Sequence, residues 1–394
     1  MHQMEIDRKG GCEKIRTGRI QIFITLWEQQ NEEMLFLSPQ ESALWSHLAD
    51  QILEDGRTPG SVPEILSGQI RPNLLPVFCY YIGTLLMAQG SVDSGFGWLS
   101  EAARLEGDRP FSASQLVGFL ERHERKLQMP YVVFFDPKAF LLFAKNPVMQ
   151  AARLRHVTEC ADSLPYFQKP FSMMDLGCGD GSLTVALLQK LRDGGRIGEI
   201  DEIFLIDSSA AMVELAAKTV AEAFPGVHIS KENCRIQDCT GRIYRHFDLA
   251  TSSLAYHHMP YEEKRLHLSR LRPRIDHFIL YEMDADNDRP EIYSPDLALA
   301  VYQSYGSIIN SILSQDVRID LARTCVDQFL MTEVISFFTQ PRGERTEYHM
   351  LQSQWLALFS ECLGGEFTLR CHSPCYMDRY TSLFCMHFGR DSEG

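Results

Sequence analysis

Apolar positions recur at helical spacing through the early part of the chain and in short strand-like runs further on. Ser38-Pro39-Gln40-Glu41 has the chemistry of a helix start, and residues 41–52 follow with an apolar helical stripe. The turn-rich stretch 56–61 ends that helix, and helical patterning then continues to about 125. An amphipathic segment lies at 20–27, and aromatic residues crowd 131–143, as a lid over a pocket or a seam between domains. From about 165 the pattern changes. It predicts strands at 171–175, 202–207, 246–252, 276–282, 366–372 and 381–388, and helices at 182–192, 209–223 and 261–271. Such alternation predicts a mostly parallel sheet with helices on both faces, and the last two strands form an antiparallel pair at its edge. The organisation read from this is a helical region at 1–130, linker or lid helices at 131–165, and an α/β domain at 166–394 with a helical insertion at about 290–340.

The strongest chemical signal is Met174-Asp175-Leu176-Gly177-Cys178-Gly179-Asp180-Gly181, where an apolar strand ends in an acid, glycines alternate, and a helix opens at Ser182. Glycines there let a ligand approach the backbone and permit positive φ, and in open α/β sheets ligands sit at the carboxyl ends of strands. The third glycine comes one residue too early for a dinucleotide loop. Asp175 and Asp180 would also repel a pyrophosphate. A cationic ligand without phosphate suits the turn better, and S-adenosylmethionine (SAM) is one.

Residues 175–181 resemble the first motif of class I SAM-dependent methyltransferases, and further pieces follow in order over about 165–390. The resemblance implies a Rossmann-like, seven-stranded, mostly parallel sheet. It implies SAM as cofactor, held by Asp175, Gly177, Gly179 and Gly181, with Asp207 on the ribose hydroxyls through two acceptor oxygens. It also implies Met212 against the adenine, Asp238 at the end of the third strand accepting from the adenine amino group, and Ser252 in the fourth strand. Two later stretches, Glu282-Met283-Asp284-Ala285-Asp286-Asn287-Asp288 and Glu344-Arg345-Thr346-Glu347-Tyr348-His349-Met350 with Trp355, resemble GRAS-domain proteins, whose plant members are regulators on a methyltransferase-like fold. Residues 81–103, with Gly83, Gly95, Leu99 and Ala102, resemble one tetratricopeptide helical hairpin.

Methyl transfer needs an aligned nucleophile and, for an amine or hydroxyl, a base. His257, Glu282 and His349 are the candidates, with His258 and Asp284 beside them; Glu347 is expected to pair with Arg342 or Arg345. No metal ligand set is assigned, because Cys371, Cys375, His372, Cys385 and His387 lack the paired spacing of a zinc site. A formal net charge of −14 offers nothing to a nucleic-acid backbone. The polar N-terminus and 11 cysteines fit a reducing cytoplasm, and the uncharged run between Arg71 and Asp93 is too interrupted to span a membrane. The expected activity is methyl transfer from SAM to a small molecule. The alternatives are methylation of a protein or peptide docked on the N-terminal helices, or a GRAS-like regulator or scaffold without catalysis.

Overall fold

A computed structural model describes residues 35–61, 68–107, 111–129, 137–243, 245–377 and 381–391. The amphipathic segment at 20–27 and residues 131–136 of the aromatic run lie outside these residues. Before the sheet come α1 (Pro39–Asp55), α2 (Leu75–Ala88), α3 (Val92–Glu106), α4 (Ser112–Arg122), α5 (Pro137–Ala144) and α6 (Pro147–Ser163). Ser38 caps α1 reciprocally: its Oγ accepts from the Glu41 amide, and Glu41 accepts from the Ser38 amide. The α2–α3 pair is an antiparallel hairpin crossing at glycines. A Cβ on Gly83 would lie 2.6 Å from Leu99 Cγ and 2.9 Å from the Leu99 amide nitrogen. Gly83→Val therefore forces the helices apart and is expected to cost about 1–3 kcal/mol, read as a lower midpoint in thermal unfolding.

The sheet follows: β1 (Phe171–Leu176), α7 (Ser182–Asp193), β2 (Ile200–Asp207), α8 (Ala210–Ala223), β3 (His228–Asn233), β4 (Phe247–Ser253), α9 (Tyr261–Leu271) and β5 (Ile275–Met283). Between β5 and the last strands lie α10 (Pro295–Leu313), α11 (Ile319–Cys325), a π turn (Val326–Leu330), α12 (Met331–Thr339) and α13 (Gln352–Leu363). The chain closes with β6 (Phe367–Met377) and β7 (Ser382–Arg390). The seven strands run in the order β3-β2-β1-β4-β5-β7-β6; β1 to β5 are parallel, and β7 is antiparallel to both neighbours. Period-two alternation along β1 sends Phe171 and Met173 into one buried core and Met174 and Leu176 into the other, so both faces are covered. The strand order reverses between β1 and β4, which opens a crevice at their carboxyl ends.

Strand β3 is missing from the sequence reading. Its residues, His-Ile-Ser-Lys-Glu-Asn, form a half-exposed edge strand, so no apolar run marks it. Gln237-Asp238-Cys239, expected at the end of the third strand, lies instead in the 3₁₀ segment Ile236–Arg242 that follows it.

The N-terminal helices do not stand apart. α2 and α4 pack on α10 of the insertion, Gln115 donates to Asn310 at 2.9 Å, and Arg122 holds Asp327 with a pair of hydrogen bonds. No helix among the described residues is long and apolar enough to cross a membrane.

Candidate functional site

A cavity of about 400 Å³ opens at the carboxyl ends of β1, β2, β4 and β5, within the range of small-molecule sites. The glycine turn forms its floor. Gly177 (φ 82°) turns so tightly that a Cβ would meet Ala255 Cβ at 2.3 Å, and Gly181 (φ 76°) packs on the backbone of Ala216 in α8. Asp207, at the end of β2, accepts the Gly179 amide at 3.0 Å and the Ser209 amide at 2.8 Å, which ties the turn to the start of α8. Burial pushes the Asp207 carboxyl up. Asp175 accepts from Thr184 and, at 3.0 Å, from Thr251; burial still raises its pKa to about 6.

Most of the cofactor residues expected from the sequence converge here. Asp175, Gly177, Gly179, Asp207 and Met212 line the cavity, and Gly181 sits behind the turn. Two do not reach it. Asp238 is exposed and pairs with Arg235 at 2.9 Å, while Gln237 faces the cavity in its place. The Ser252 hydroxyl is buried and donates to the Leu176 carbonyl, so it ties β4 to β1. Arg153 of α6 was not singled out in the sequence. It reaches the glycine turn, donating to Ser182 Oγ at 2.6 Å beside Asp180, and lines the cavity. A cation on a helix upstream of the sheet carries no local motif.

The residues present fit SAM. A carboxylate stands at the ribose position, Met212 offers an apolar face, the backbone is bare of side chains at the turn, and Arg153 matches a carboxylate.

The far end of the cavity is built from three separated segments. Glu282, next to last in β5, is fully buried. Its Oε1 accepts the amides of Ala255, Tyr256 and His257 at 3.2, 2.9 and 3.3 Å, and its Oε2 lies 2.7 Å from His257 Nδ1. The chain reaches this turn through Leu254 at φ 51°, a left-handed conformation that is rare without glycine. From the other side, residues 346–350 cross over it. The Tyr348 amide donates to the His257 carbonyl at 2.6 Å, and Asn287 and Asp288 amides both donate to the His349 carbonyl at 2.9 Å. Lys264, with its ammonium 4.6 Å from the Trp355 ring centre, donates to the Tyr348 carbonyl.

That crossing brings Glu347 among three imidazoles: His257 Nε2 at 2.9 Å, His258 Nδ1 at 3.0 Å and His349 Nε2 at 3.6 Å. The expected pairing of Glu347 with an arginine is not seen. Arg345 donates to the carbonyls of Asn287, Pro290 and Gln340, and Arg342 pairs with Asp288 and Glu262. Burial works against the charge on His257, but Glu282 and Glu347 outweigh it and lift its pKa to about 10. Burial also works against the Glu347 carboxylate, yet His258 and His257 hold its pKa low. His349 is pushed the other way, well below the ordinary value, by burial and then by His257. Glu333 of α12, beside Tyr305, is raised by burial and by Glu347.

His257 and His349 line the cavity, whereas Glu282 holds His257 from behind. Asp284 serves elsewhere: it accepts the Gln352 amide at 2.9 Å and caps α13. Tyr305 reaches the cavity, while Tyr302 packs on Tyr80 and Phe111.

Residues 173–274 match a family model described as a methyltransferase domain. Among solved structures, SCL7 of Oryza sativa is 15% identical, with a TM-score of 0.54 over 78% of this chain and 99% of that one. This is the class I methyltransferase fold. SAM is the cofactor that the domain implies. Two further solved structures are similar with lower scores. Magnesium protoporphyrin IX methyltransferase of Synechocystis PCC 6803, with bound SAH (S-adenosylhomocysteine), is 14% identical with a TM-score of 0.37, over 64% of this chain and 93% of that one. The cyclopropane synthase MmaA2 of Mycobacterium tuberculosis is 9% identical with a TM-score of 0.40, over 65% and 95%. No curated protein sequence matches the chain. The matched domain ends just before β5, so Glu282, Glu333, Glu347 and His349 all lie outside it.

Proposed function

We propose that the protein is a SAM-dependent methyltransferase acting on a small molecule, with a GRAS-like cap over its acceptor site, working in the cytoplasm. One observation carries this reading. A single cavity joins the glycine turn and Asp207 at one end to His257, Glu347 and His349 at the other, roofed by α5, α6 and the insertion helices. Such enclosure suits a small acceptor. The N-terminal helices bury their apolar faces on α10, which favours packing over docking of a protein substrate.

When bound, SAM supplies an electrophilic methyl group on a sulfonium. The chain's own residues do the rest. Asp207 would take the ribose hydroxyls and Met212 would pack on the adenine. Arg153 and Asp175 face the charged amino-acid end. His257, clamped by Glu282, fixes the polar wall against which the acceptor lies. His349 has a buried Nδ1 without a hydrogen-bond partner, aimed to take the proton of an amine or hydroxyl acceptor. The acceptor's lone pair would take up that methyl group with SAH as the leaving group, and the acceptor's proton would pass to His349.

Asp175 gives this reading a pH dependence. Its carboxylate form, which attracts the ammonium of SAM, prevails above about pH 6. Each pH unit below that value reduces the ionised fraction roughly tenfold. Titration calorimetry at pH 5 should therefore show SAM binding roughly tenfold weaker than at pH 7.5. The ligand-free chain has the opposite sign: a raised carboxyl pKa contributes stability below the unfolded value, and that stability is lost as pH rises through about 6. Equal affinity at both pH values would remove Asp175 from the site.

The direct test of the activity is a screen of small acceptors with isotopically labelled SAM, followed as SAH release. Turnover restricted to proteins or peptides would favour the docking alternative instead.

A further inference from the structure

The acceptor end of the cavity holds a group of side chains that methyl transfer alone does not explain. Glu347 is 1% exposed, and neither of its carboxylate oxygens receives a hydrogen bond of normal geometry. A buried carboxylate in that state is costly. Its oxygens nonetheless stand 2.9 Å from His257 Nε2 and 3.0 Å from His258 Nδ1. Those separations match two ligand atoms that share one ion at roughly 2.0–2.2 Å. They are also close enough that something positive must lie between an imidazole lone pair and a carboxylate. A ring N–H from each imidazole can fill these contacts, and His258 Nδ1 also faces the Thr346 carbonyl at 3.0 Å; a bound cation takes the place of both protons.

The support behind these groups has the form found at metal centres. Glu282 takes the Nδ1 side of His257, which leaves Nε2 facing Glu347; a carboxylate behind a histidine ligand fixes its tautomer and orientation. Glu282 is itself anchored by three backbone amides. A second buried carboxyl, Glu333, lines the same end of the cavity.

We propose that His257, His258 and Glu347 form a binding site for a divalent first-row metal ion, with open positions facing the acceptor. The donor set of two imidazoles and one carboxylate, without thiolate, selects ions such as Zn²⁺, Mn²⁺ or Fe²⁺ over Ca²⁺ or Mg²⁺. Binding displaces the proton that His257 otherwise carries. The ion then holds an oxygen or nitrogen of the acceptor beside the methyl donor, and His349 remains outside the ligand set to take the acceptor's proton. The substrate class follows: a small molecule whose methylated hydroxyl or amine belongs to a chelating pair. The site rests on the reading of this cavity end as the acceptor end.

The sequence does not display the set. His257 and His258 are adjacent, and Glu347 enters from the far side of the insertion.

The test uses the untagged full chain, stripped with a chelator and titrated with Co²⁺ alone, followed by visible absorption, with Zn²⁺ in competition. The expected result is one ion per chain, with bands that Zn²⁺ abolishes. Glu347→Gln should weaken binding about a hundredfold. His258→Asn, at a partly exposed position, should weaken it at least tenfold. SAM is titrated into the same samples, where retained binding shows that a variant is folded. Absence of a stoichiometric site, or equal Co²⁺ affinity in wild type and both folded variants, overturns the metal site. If SAM binds and Co²⁺ does not, the metal site fails and the methyltransferase reading stands. If Co²⁺ binds as described and SAM does not, the metal site stands and that reading fails.

Discussion

Glu282→Ala is expected to destabilise the protein by about 3–5 kcal/mol, seen as a drop of several degrees in the thermal midpoint. Three backbone amides and the Nδ1 of His257 converge on this one buried carboxylate. Alanine strips all four of their partner and leaves a void that is closed to solvent. The imidazolium of His257 would then face only Glu347, so its charge loses half of its compensation. Glu282→Gln separates the two effects. Its amide oxygen still accepts the three amides, so much of the stability should return. Its amide nitrogen cannot accept from His257, so the tautomer control is lost. Differential scanning calorimetry on the three proteins gives the order wild type, Gln, Ala. A Glu282→Ala protein that melts with the wild type would mean that the turn at 254–258 is held by something else.

Asp207→Ala should weaken SAM binding about a hundredfold while leaving a folded protein. Hydrogen bonds to a charged group contribute roughly 1.5–3 kcal/mol each, and a ribose diol makes two. Part of that loss is returned by water, so about 3 kcal/mol remains, and each 1.4 kcal/mol is tenfold. The carboxylate also accepts the Gly179 and Ser209 amides, so alanine loosens the glycine turn. Asp207→Asn keeps one acceptor oxygen and should fall between the two. Isothermal titration measures all three. Equal affinity in the wild type and Asp207→Ala would show that the cofactor reading has the wrong carboxylate.

Parts of this site are legible in sequence for a physical reason. The glycine turn is local: seven consecutive residues set its backbone, and β1, α7 and Asp207 follow from hydrophobic period and strand end. The antiparallel pair β6–β7 is equally local, since only four residues separate the two strands in sequence. β3 is not legible, because an edge strand with both faces half-wet has no apolar alternation to show. That omission displaced the expected third-strand end onto Asp238, which the structure leaves exposed and paired with Arg235. Ser252 was placed on the correct strand, but a buried strand residue points to one of two sides, and this one faces β1. The histidine–carboxylate cluster was named only in part. His257, Glu282 and His349 stand out as residue types, whereas Glu347 was assigned to a nearby arginine. Sequence proximity favours Arg345, yet the crossing of residues 346–350 over the 254–258 turn turns Glu347 inward. Arg153 and Glu333 have no signal at all, because packing of α6 and α12 over the sheet is what aims them.

The central claim is that this cavity binds SAM, and titration of the purified wild-type chain with SAM and with SAH tests it most directly. The protein must first be shown free of co-purified nucleoside by its absorption spectrum. The account predicts one site per chain for each ligand, micromolar dissociation constants, and displacement of one by the other. A folded, nucleoside-free protein that gives no binding signal with either ligand would contradict it.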